Sequence, residues 1–377
     1  CRPGKTYTDC TLGGSGHARA ICERIQPDGL LIGIDQDSDA IENAQKTLQP
    51  YSSNIHLFHG NFINLPQYLA QINTDAVDGI LLDLGLSLHQ IENSGRGFSF
   101  NKDEPLDMRM DNRSATRAGD LVNTLTEEAL RKIFKDYGEE RWSKQIARRI
   151  VRSRGQDKIQ TSRQLAQIVC SAIPRRAPKE QHIHPATRVF MALRIAVNKE
   201  LEILDRFMAG VADWLNPKGR LCVLSFHSLE DRIVKQHIRA MEKGCICPPK
   251  LPECACGKKP VMRSLTKKVV RPTEAEVARN PMARSTRLNG SFSRLTRISS
   301  ETIRFSLSRL ALSEKVRMIS SAASREATLS PETKGRVSAA SRGRPCSNSQ
   351  WAAVAAFSVR TSQRPTTRAW ATSCTSA

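Results

Sequence analysis

The chain has 377 residues, 39% of them hydrophobic and 25% charged, and its 58 Lys and Arg against 37 Asp and Glu give a formal charge of +21. That length holds one large domain or two ordinary ones, and no apolar run reaches the roughly 18 residues that a bilayer-spanning helix needs. The positive surplus points to a polyanionic partner, nucleic acid first, without separating RNA from DNA.

Thr6 to Thr11 is a short β-prone run that enters Gly13-Gly14-Ser15-Gly16-His17, and a helical pattern leaves it over Ala18–Ile25. Glycines at a strand-to-helix junction permit a tight turn and bring backbone close to a ligand. Pro27-Asp28-Gly29 then turns into a second strand, Leu30–Asp35, whose acid comes eighteen residues after His17. A glycine turn after one strand and an acid closing the next suit a nucleoside, with the carboxylate on the ribose hydroxyls. The spacing is not G-x-G-x-x-G, so a dinucleotide such as NAD stays open without being favoured. Asp37 or Ser38 caps a helix through Ala40, Ala44 and Leu48, which Gln49-Pro50 stops. Ile55–His59 is a third strand, followed by Gly60-Asn61-Phe62 and a short helix over Leu65–Ile72. Gly79–Leu84 is a fourth, largely apolar as a buried parallel strand should be. This alternation predicts a doubly wound α/β sheet, whose ligand lies beyond the carboxyl ends of the strands. Gly13 to His17, Asp35, Phe62 and Asp83 all fall at those ends.

From about Thr126 to Leu215 the period becomes helical: Thr126–Tyr137, Trp142–Arg152, Ser162–Ala172 and one long helix from Pro185 onwards. On that last helix Phe190, Leu193, Val197, Leu201 and Leu204 form one apolar stripe, with Thr187, Met191, Arg194 and Asn198 on a neighbouring face. The strand pattern resumes at Gly219–Ser225, after a turn at Asn216-Pro217-Lys218-Gly219. A helical block between two strands of one sheet reads as an insertion. The expected division is therefore 1–109 for the first part of the core, 110–200 for an inserted helical substrate-binding domain and 201–288 for the second part of the core. Arg148, Arg149, Arg152, Arg154, Arg175, Arg176, Lys179 and Arg188 give the insertion either an RNA-facing wall or a solvated basic surface. Residues 289–377 are rich in Ser, Arg, Ala and Thr and hold 14 Lys and Arg against 4 Glu and no Asp, about +10 of the +21. This tail is expected to be disordered, or to be the product of a frameshift. The chain begins at Cys1, almost directly in the first strand, so a further N-terminal stretch is expected. A bacterial cytoplasm is the default location, with a mitochondrion or other organelle left open.

The segments DCTLGGSGH, IDQD, HGNF, ILLDLGLS, RGFSF, PLDMRMD, YGEER, HPATRVFMALRIAVNKEL and SFHSLEDRIVK follow one another in this order. Together they resemble the MraW/RsmH family over about Thr6 to Leu288. The resemblance implies a Rossmann-like class I methyltransferase sheet and S-adenosyl-L-methionine as cofactor. It also implies methyl transfer to the exocyclic 4-amino group of a cytosine in small-subunit (16S-type) ribosomal RNA, free or within a ribosomal particle. No membrane is involved, and the oligomeric state is left open. Family cofactor contacts carry over onto the turn Gly13, Ser15, Gly16 and His17, and onto Asp35, Phe62, Asp83 and Gln90. Three departures stand out. Ser15 occupies a position that is usually Gly, Leu86-Ser87-Leu88-His89-Gln90 replaces Val-Ser-Ser-Pro-Gln, and the closing helix after Asn280–Ser285 is missing. The altered loop keeps a second reading open, a catalytically impaired RNA-binding ribosome-assembly factor with the same fold.

A cytosine amino group is a poor nucleophile because its lone pair is delocalised into the ring. An enzyme must aim the amine at an already reactive methyl group and accept a proton late. Asp83 and Ser87, at the end of the fourth strand, are the expected catalytic residues. Phe98 and Phe100 offer aromatic faces to a base taken out of its stack, or are half-buried strand residues. Asp107, Arg109 and Asp111 form a polar face that is either a salt-bridged clamp or a substrate contact through Arg109. His184 and Arg188 open the long helix, as phosphate ligands or caps, and Arg194 and Asn198 on the same helix are expected to face substrate. His227 and Ser228 lack a nucleophile elbow, so no hydrolytic triad is expected. No catalytic metal is expected either. Cys245, Cys247, Cys254 and Cys256, two C-x-C pairs around a proline-rich stretch, form either a structural zinc site or a loop of unbound thiols.

Overall fold

The computed structural model describes residues 1–173, 184–248, 253, 255–265, 269–279 and 281–293. The alternation in the first quarter of the chain folds as β1 (Thr6–Asp9), α1 (Gly16–Ile25), β2 (Leu30–Asp35), α2 (Ser38–Thr47), β3 (Ile55–His59), α3 (Leu65–Gln71) and β4 (Val77–Asp83). These strands pair in parallel, with β1 between β2 and β4. Asp37 caps α2, its side chain accepting from Asp39 N. A five-residue helix not read from the sequence, α4 (Leu88–Glu92), follows β4.

The chain then leaves the sheet through α5 (Ala118–Thr124), α6 (Glu127–Asp136), α7 (Ser143–Arg154), α8 (Ser162–Ala172) and α9 (Ala186–Asn198). Their starts are chemically marked: Thr126 caps α6, and Thr161 with Gln164 forms a capping box on α8. Their apolar faces enclose a core of their own, with Phe134, Ile146, Ile150, Leu165 and Leu193 at its centre. That core also draws in Phe98, Leu106, Met108 and Met110, so its packing begins ahead of residue 110.

The long helix expected from Pro185 is two helices. At Lys199 the backbone turns left-handed (φ 51, ψ 35), and α10 (Glu200–Gly210) begins. Phe190, Leu193 and Val197 pack in the helical core, whereas Leu204 packs with the sheet. Helical spacing alone cannot show such a break, because the apolar period runs unbroken through it while the two halves face different cores. Side chains secure the corner. Arg194 donates from Nε and Nη2 to the two Glu200 carboxylate oxygens, each at 2.8 Å, and both side chains are nearly buried. Asn198 accepts from Met110 N and donates to Met108 O, both at 2.8 Å.

Back in the sheet come β5 (Leu215–Ser225), α11 (Ser228–Lys243), β6 (Met262–Ser264), α12 (Glu274–Arg279) and β7 (Arg287–Ser293). Among the described residues the sheet has seven strands in the order β3-β2-β1-β4-β5-β7-β6, with β7 antiparallel to its neighbours. A mainly parallel sheet needs cover on both faces. α1 and α2 supply one side through Ile21, Ile25 and Ala44, while α3, α10 and α11 supply the other through Leu69, Phe207 and Val234. β5 starts at Leu215 rather than Gly219, because the expected turn is an irregularity inside the strand, where Val77 faces Leu215 and Gly79 already faces Arg220. β7 runs five residues past the boundary expected at Leu288, and Leu288–Ser293 are all buried between β5 and β6. Residues 294–377, Arg175, Arg176, Lys179 and Cys254 lie outside the described residues. No helix among the described residues is long and apolar enough to cross a membrane.

The corner at Lys199 generates a stability prediction. Arg194→Ala leaves the Glu200 carboxylate shielded and unpaired, which should cost about 3 kcal/mol in urea unfolding. A loss below about 1 kcal/mol would contradict the role given to this pair.

Candidate active site

The strand order reverses between β1 and β4, and at such a switch the loops leaving the carboxyl ends diverge to open a crevice. β1 ends at Asp9 and passes through a tight turn in which Gly13 has φ +45 and Ser15, wholly buried, has φ 61. A left-handed residue with a Cβ costs about 1–2 kcal/mol, which accounts for glycine being usual at this place in the family. Here Asn43 Nδ2 donates to Ser15 Oγ at 3.2 Å and holds the turn in place. Asp35, closing β2, clamps the same turn. Its Oδ2 accepts from Gly13 N and its Oδ1 from Asp37 N, both at 2.9 Å. Burial pushes its carboxyl up to about 6, against the pull of these amides. Each oxygen keeps one lone pair for a hydroxyl partner.

Asp83 closes β4. Its backbone N donates to Thr11 Oγ1 at 2.7 Å, and its Oδ2 lies 3.4 Å from His17 Nε2 on the first turn of α1. Beside it sits a residue to which the sequence reading gave no role. Asp9 is fully buried; Oδ1 accepts from Thr11 N at 3.1 Å, and Oδ2 has no hydrogen-bond partner. Burial pushes its carboxyl up to about 7, with Asp83 and Asp35 adding to the rise and His17 opposing it. The usable signal was an acid at the last position of a strand running into a glycine turn. Three carboxylates thus end three adjacent strands, and an orphaned oxygen points to a cationic ligand. A nucleoside that carries a sulfonium and an ammonium group fits this donor set. Phe62, half-buried after β3, sets its ring edge-on to Phe207 at 5.0 Å.

The loop after β4 is more built than its sequence suggested. Ser87 Oγ accepts from Gln90 N at 3.2 Å, and Ser87 N donates to Gln90 Oε1 at 3.0 Å, a capping box on α4. Leu88-His89, where the sequence departs from the family, lies inside this capped turn, and His89 Nε2 pairs with Asp39 Oδ2 at 3.0 Å. The expected contact of Ser87 with an amine thus has a capping bond beside it. Gln90 is buried, and its Nε2 donates to Asp37 Oδ2 at 2.8 Å. Arg96, which sequence reasoning missed, joins the network: Nη2 reaches Asp37 Oδ2 at 2.5 Å, and Nη1 donates to the carbonyls of Arg109 and Met110. Gly85 (φ +97) lies against the Phe226 ring of the β5–α11 connection. There His227 pairs with the buried Glu230 at 3.0 Å.

Several expected substrate residues are spent inside the protein. Phe98 is a core residue, 7% exposed. Arg109 clamps its own loop, giving Nε and Nη2 to Asp107 at 2.7 Å each and Nη1 to the carbonyls of Asn112 and Ser114. Arg194 and Asn198 hold the α9–α10 corner. Arg188 Nη1 donates to Glu139 O at 3.0 Å. His184 behaves as a cap, its Nδ1 accepting from Ala186 N at 3.2 Å, and burial lowers its pKa. It does stack on Phe100, centroids 4.4 Å apart, and of the two phenylalanines only Phe100 stays half-exposed. On the helical block Lys144, Gln145, Arg148, Arg149, Arg152 and Ala172 line an open groove of about 450 Å³. Arg154 instead donates to Val122 O.

A model of the MraW methylase family matches residues 1–291, ending within β7. The ribosomal RNA small subunit methyltransferase H of Desulforapulum autotrophicum is 58% identical over 287 residues, 76% of this chain and 92% of that protein. The proteins of the same description from Desulfosudis oleivorans and Geotalea uraniireducens are 54% and 51% identical, over the same shares of each chain.

The raised carboxyls make a pH prediction. The folded chain holds the Asp9 proton up to about pH 7, whereas the unfolded chain releases it near 3.8. Folding stability from this group is therefore complete below the unfolded value and is lost as pH rises through the folded one. The stability of Asp9→Asn relative to the parent should rise by about 2–4 kcal/mol between pH 4 and 7.5 in the cofactor-free protein, then level off. A difference that is flat with pH would contradict the burial of an acid here.

Proposed function

Because this chain belongs to the MraW methylase family, we infer that it transfers a methyl group from S-adenosyl-L-methionine to the exocyclic 4-amino group of a cytosine in small-subunit ribosomal RNA. The observation that carries the reading is the run of carboxylates Asp9, Asp35 and Asp83 on adjacent strand ends around a glycine turn, at the point where strand order reverses. When bound, the cofactor supplies a methyl group made electrophilic by its sulfonium. The residues of the chain do the rest. Backbone amides of the turn from Gly13 to His17, apart from those of Gly13 and Ser15, would meet the amino-acid end, Asp35 would accept from the ribose hydroxyls, and Phe62 would lie against adenine. Asp83 accepts a hydrogen bond from the cytosine amine, which favours a pyramidal nitrogen, and takes the proton shed as the N–C bond forms. His17 steadies that carboxylate. Ser87 and Gln90 position the loop from below, through the capping box and Asp37.

Phe100 is the aromatic face best placed for a base drawn out of its stack. We assign the groove of Lys144, Arg148, Arg149 and Arg152 to the RNA backbone, because four cations converge there on one open surface. Whether the substrate is free RNA or a small-subunit particle follows from comparing the two directly.

Two experiments test this reading. Base-resolved mapping after incubation with cofactor and small-subunit RNA should show N4-methylcytosine at one position. Replacing that cytosine by uracil should abolish transfer, and methylation that persists would sink the exocyclic-amine mechanism. Asp83→Asn should slow single-turnover transfer by about 10²–10³-fold. Separately, Arg148→Ala with Arg152→Ala should leave cofactor affinity unchanged while weakening RNA binding and reducing its salt slope by about 1.5. An unaltered slope would move the RNA elsewhere.

A further inference from the structure

α11 ends at Gly244, and the chain rejoins the sheet only at Met262. The feet of this excursion meet. A Cβ on Gly244 would lie 2.5 Å from the Lys259 carbonyl carbon, and Val261 N donates to Met241 O at 3.0 Å. Between them the described residues form neither helix nor strand, so chain entropy opposes their order and some contact must offset it. Apolar burial does not supply one. Ile246 is 68% exposed, and Pro248, Ala255 and Pro260 are exposed as well. Among the described residues from 245 to 260, only Cys245, Cys247 and Cys256 are shielded from solvent. The segment leaves its isoleucine in solvent while its thiols are partly shielded together, so burial of large apolar side chains is not what orders it.

The three Sγ atoms lie within 4.8 Å of one another, and those of Cys245 and Cys256 are 3.8 Å apart. A disulfide would bring a pair to about 2.05 Å. Thiolates around a tetrahedral zinc, with Zn–S near 2.3 Å, have an edge of about 3.8 Å. Among the described residues no carboxylate or imidazole belongs to the cluster, which disfavours magnesium and calcium and suits a thiophilic ion. We propose that Cys245, Cys247 and Cys256 bind one zinc ion, which staples the excursion between α11 and β6 and takes no part in methyl transfer. Binding deprotonates the thiols and releases protons to solvent. The ion adds a cross-link to this segment, in the way that small metal-bound folds replace a core.

The test uses the full chain, purified under reducing conditions without chelator from zinc-supplemented cells. Elemental analysis should find close to one zinc per chain. Exchange with cobalt(II) should give thiolate-to-metal charge-transfer absorption and the visible bands of a tetrahedral site. Alkylation of Cys245, Cys247 and Cys256, read by peptide mass spectrometry, should be slow until a strong chelator is added and at least tenfold faster afterwards. Cys256→Ser should lose the ion while Cys1→Ser keeps it, with cofactor binding measured on both to show that the sheet is folded. If Cys256→Ser does not fold, the chelator dependence of alkylation in the parent chain decides. Zinc retained in Cys245→Ser/Cys256→Ser, no zinc in the parent chain, or alkylation indifferent to chelator would each overturn the proposal.

Discussion

The molecule is organised around a repulsion. Three strands that lie side by side, β2, β1 and β4, each end on an aspartate, and burial leaves these acids little water to screen one another. An uncompensated carboxylate in such a place is costly, and the surrounding chain answers it locally. Thr11 bridges two of the strand ends, its N bonding Asp9 and its hydroxyl bonding Asp83 N. Asp35 accepts two backbone amides, and His17 meets Asp83. The strained Ser15 backbone is tolerated because the turn must bring the start of α1, the positive end of its dipole, up to these acids. What remains unmatched is Asp9 Oδ2, which is buried and has no hydrogen-bond partner.

The helical block is tied to this edge rather than hung from it. Asp37 caps α2 and, from its other oxygen, receives Gln90 of the β4 loop and Arg96 of the following segment. Arg96 in turn holds the carbonyls of Arg109 and Met110, whose neighbour Met108 is held by Asn198 at the end of α9. One side chain after another links the strand ends, the loop after β4 and the helices that carry the basic groove. The corner at Lys199 returns the chain to the sheet immediately beyond. A substrate bound on the helices, as proposed, would thereby be registered against the strand ends, and in-line transfer needs such positioning.

Much of this was legible in the sequence. Period-2 and period-3.6 patterns separated by Gly and Pro located the first four strands and their helices. Glycines and acids at strand ends located the crevice, because a parallel sheet presents its carboxyl ends together. Three kinds of feature were not legible. An apolar period carries no record of which core it faces, so the stripe from Phe190 to Leu204 read as one helix although it serves two. A charged side chain does not announce its partner, so Arg109, Arg194 and Asn198 looked available for substrate while their donors were already committed, and Arg96 looked ordinary while it held the network together. Burial on both faces erases alternation, which hid Asn289–Ser293 at the head of a stretch whose composition resembles a tail.

The central claim is that the acids at the strand ends are completed by a cationic cofactor, and proton linkage tests it most directly. Asp9 is mostly protonated at pH 6.5, since its carboxyl sits at about 7. A sulfonium arriving beside it should lower that value and release a proton. Calorimetry of S-adenosyl-L-methionine binding at pH 6.5, in buffers of differing ionisation enthalpy, should report about half to three-quarters of a proton released. S-adenosylhomocysteine, which lacks the sulfonium charge, should release fewer. Equal binding heats in all buffers for both ligands, with binding otherwise intact, would contradict the account.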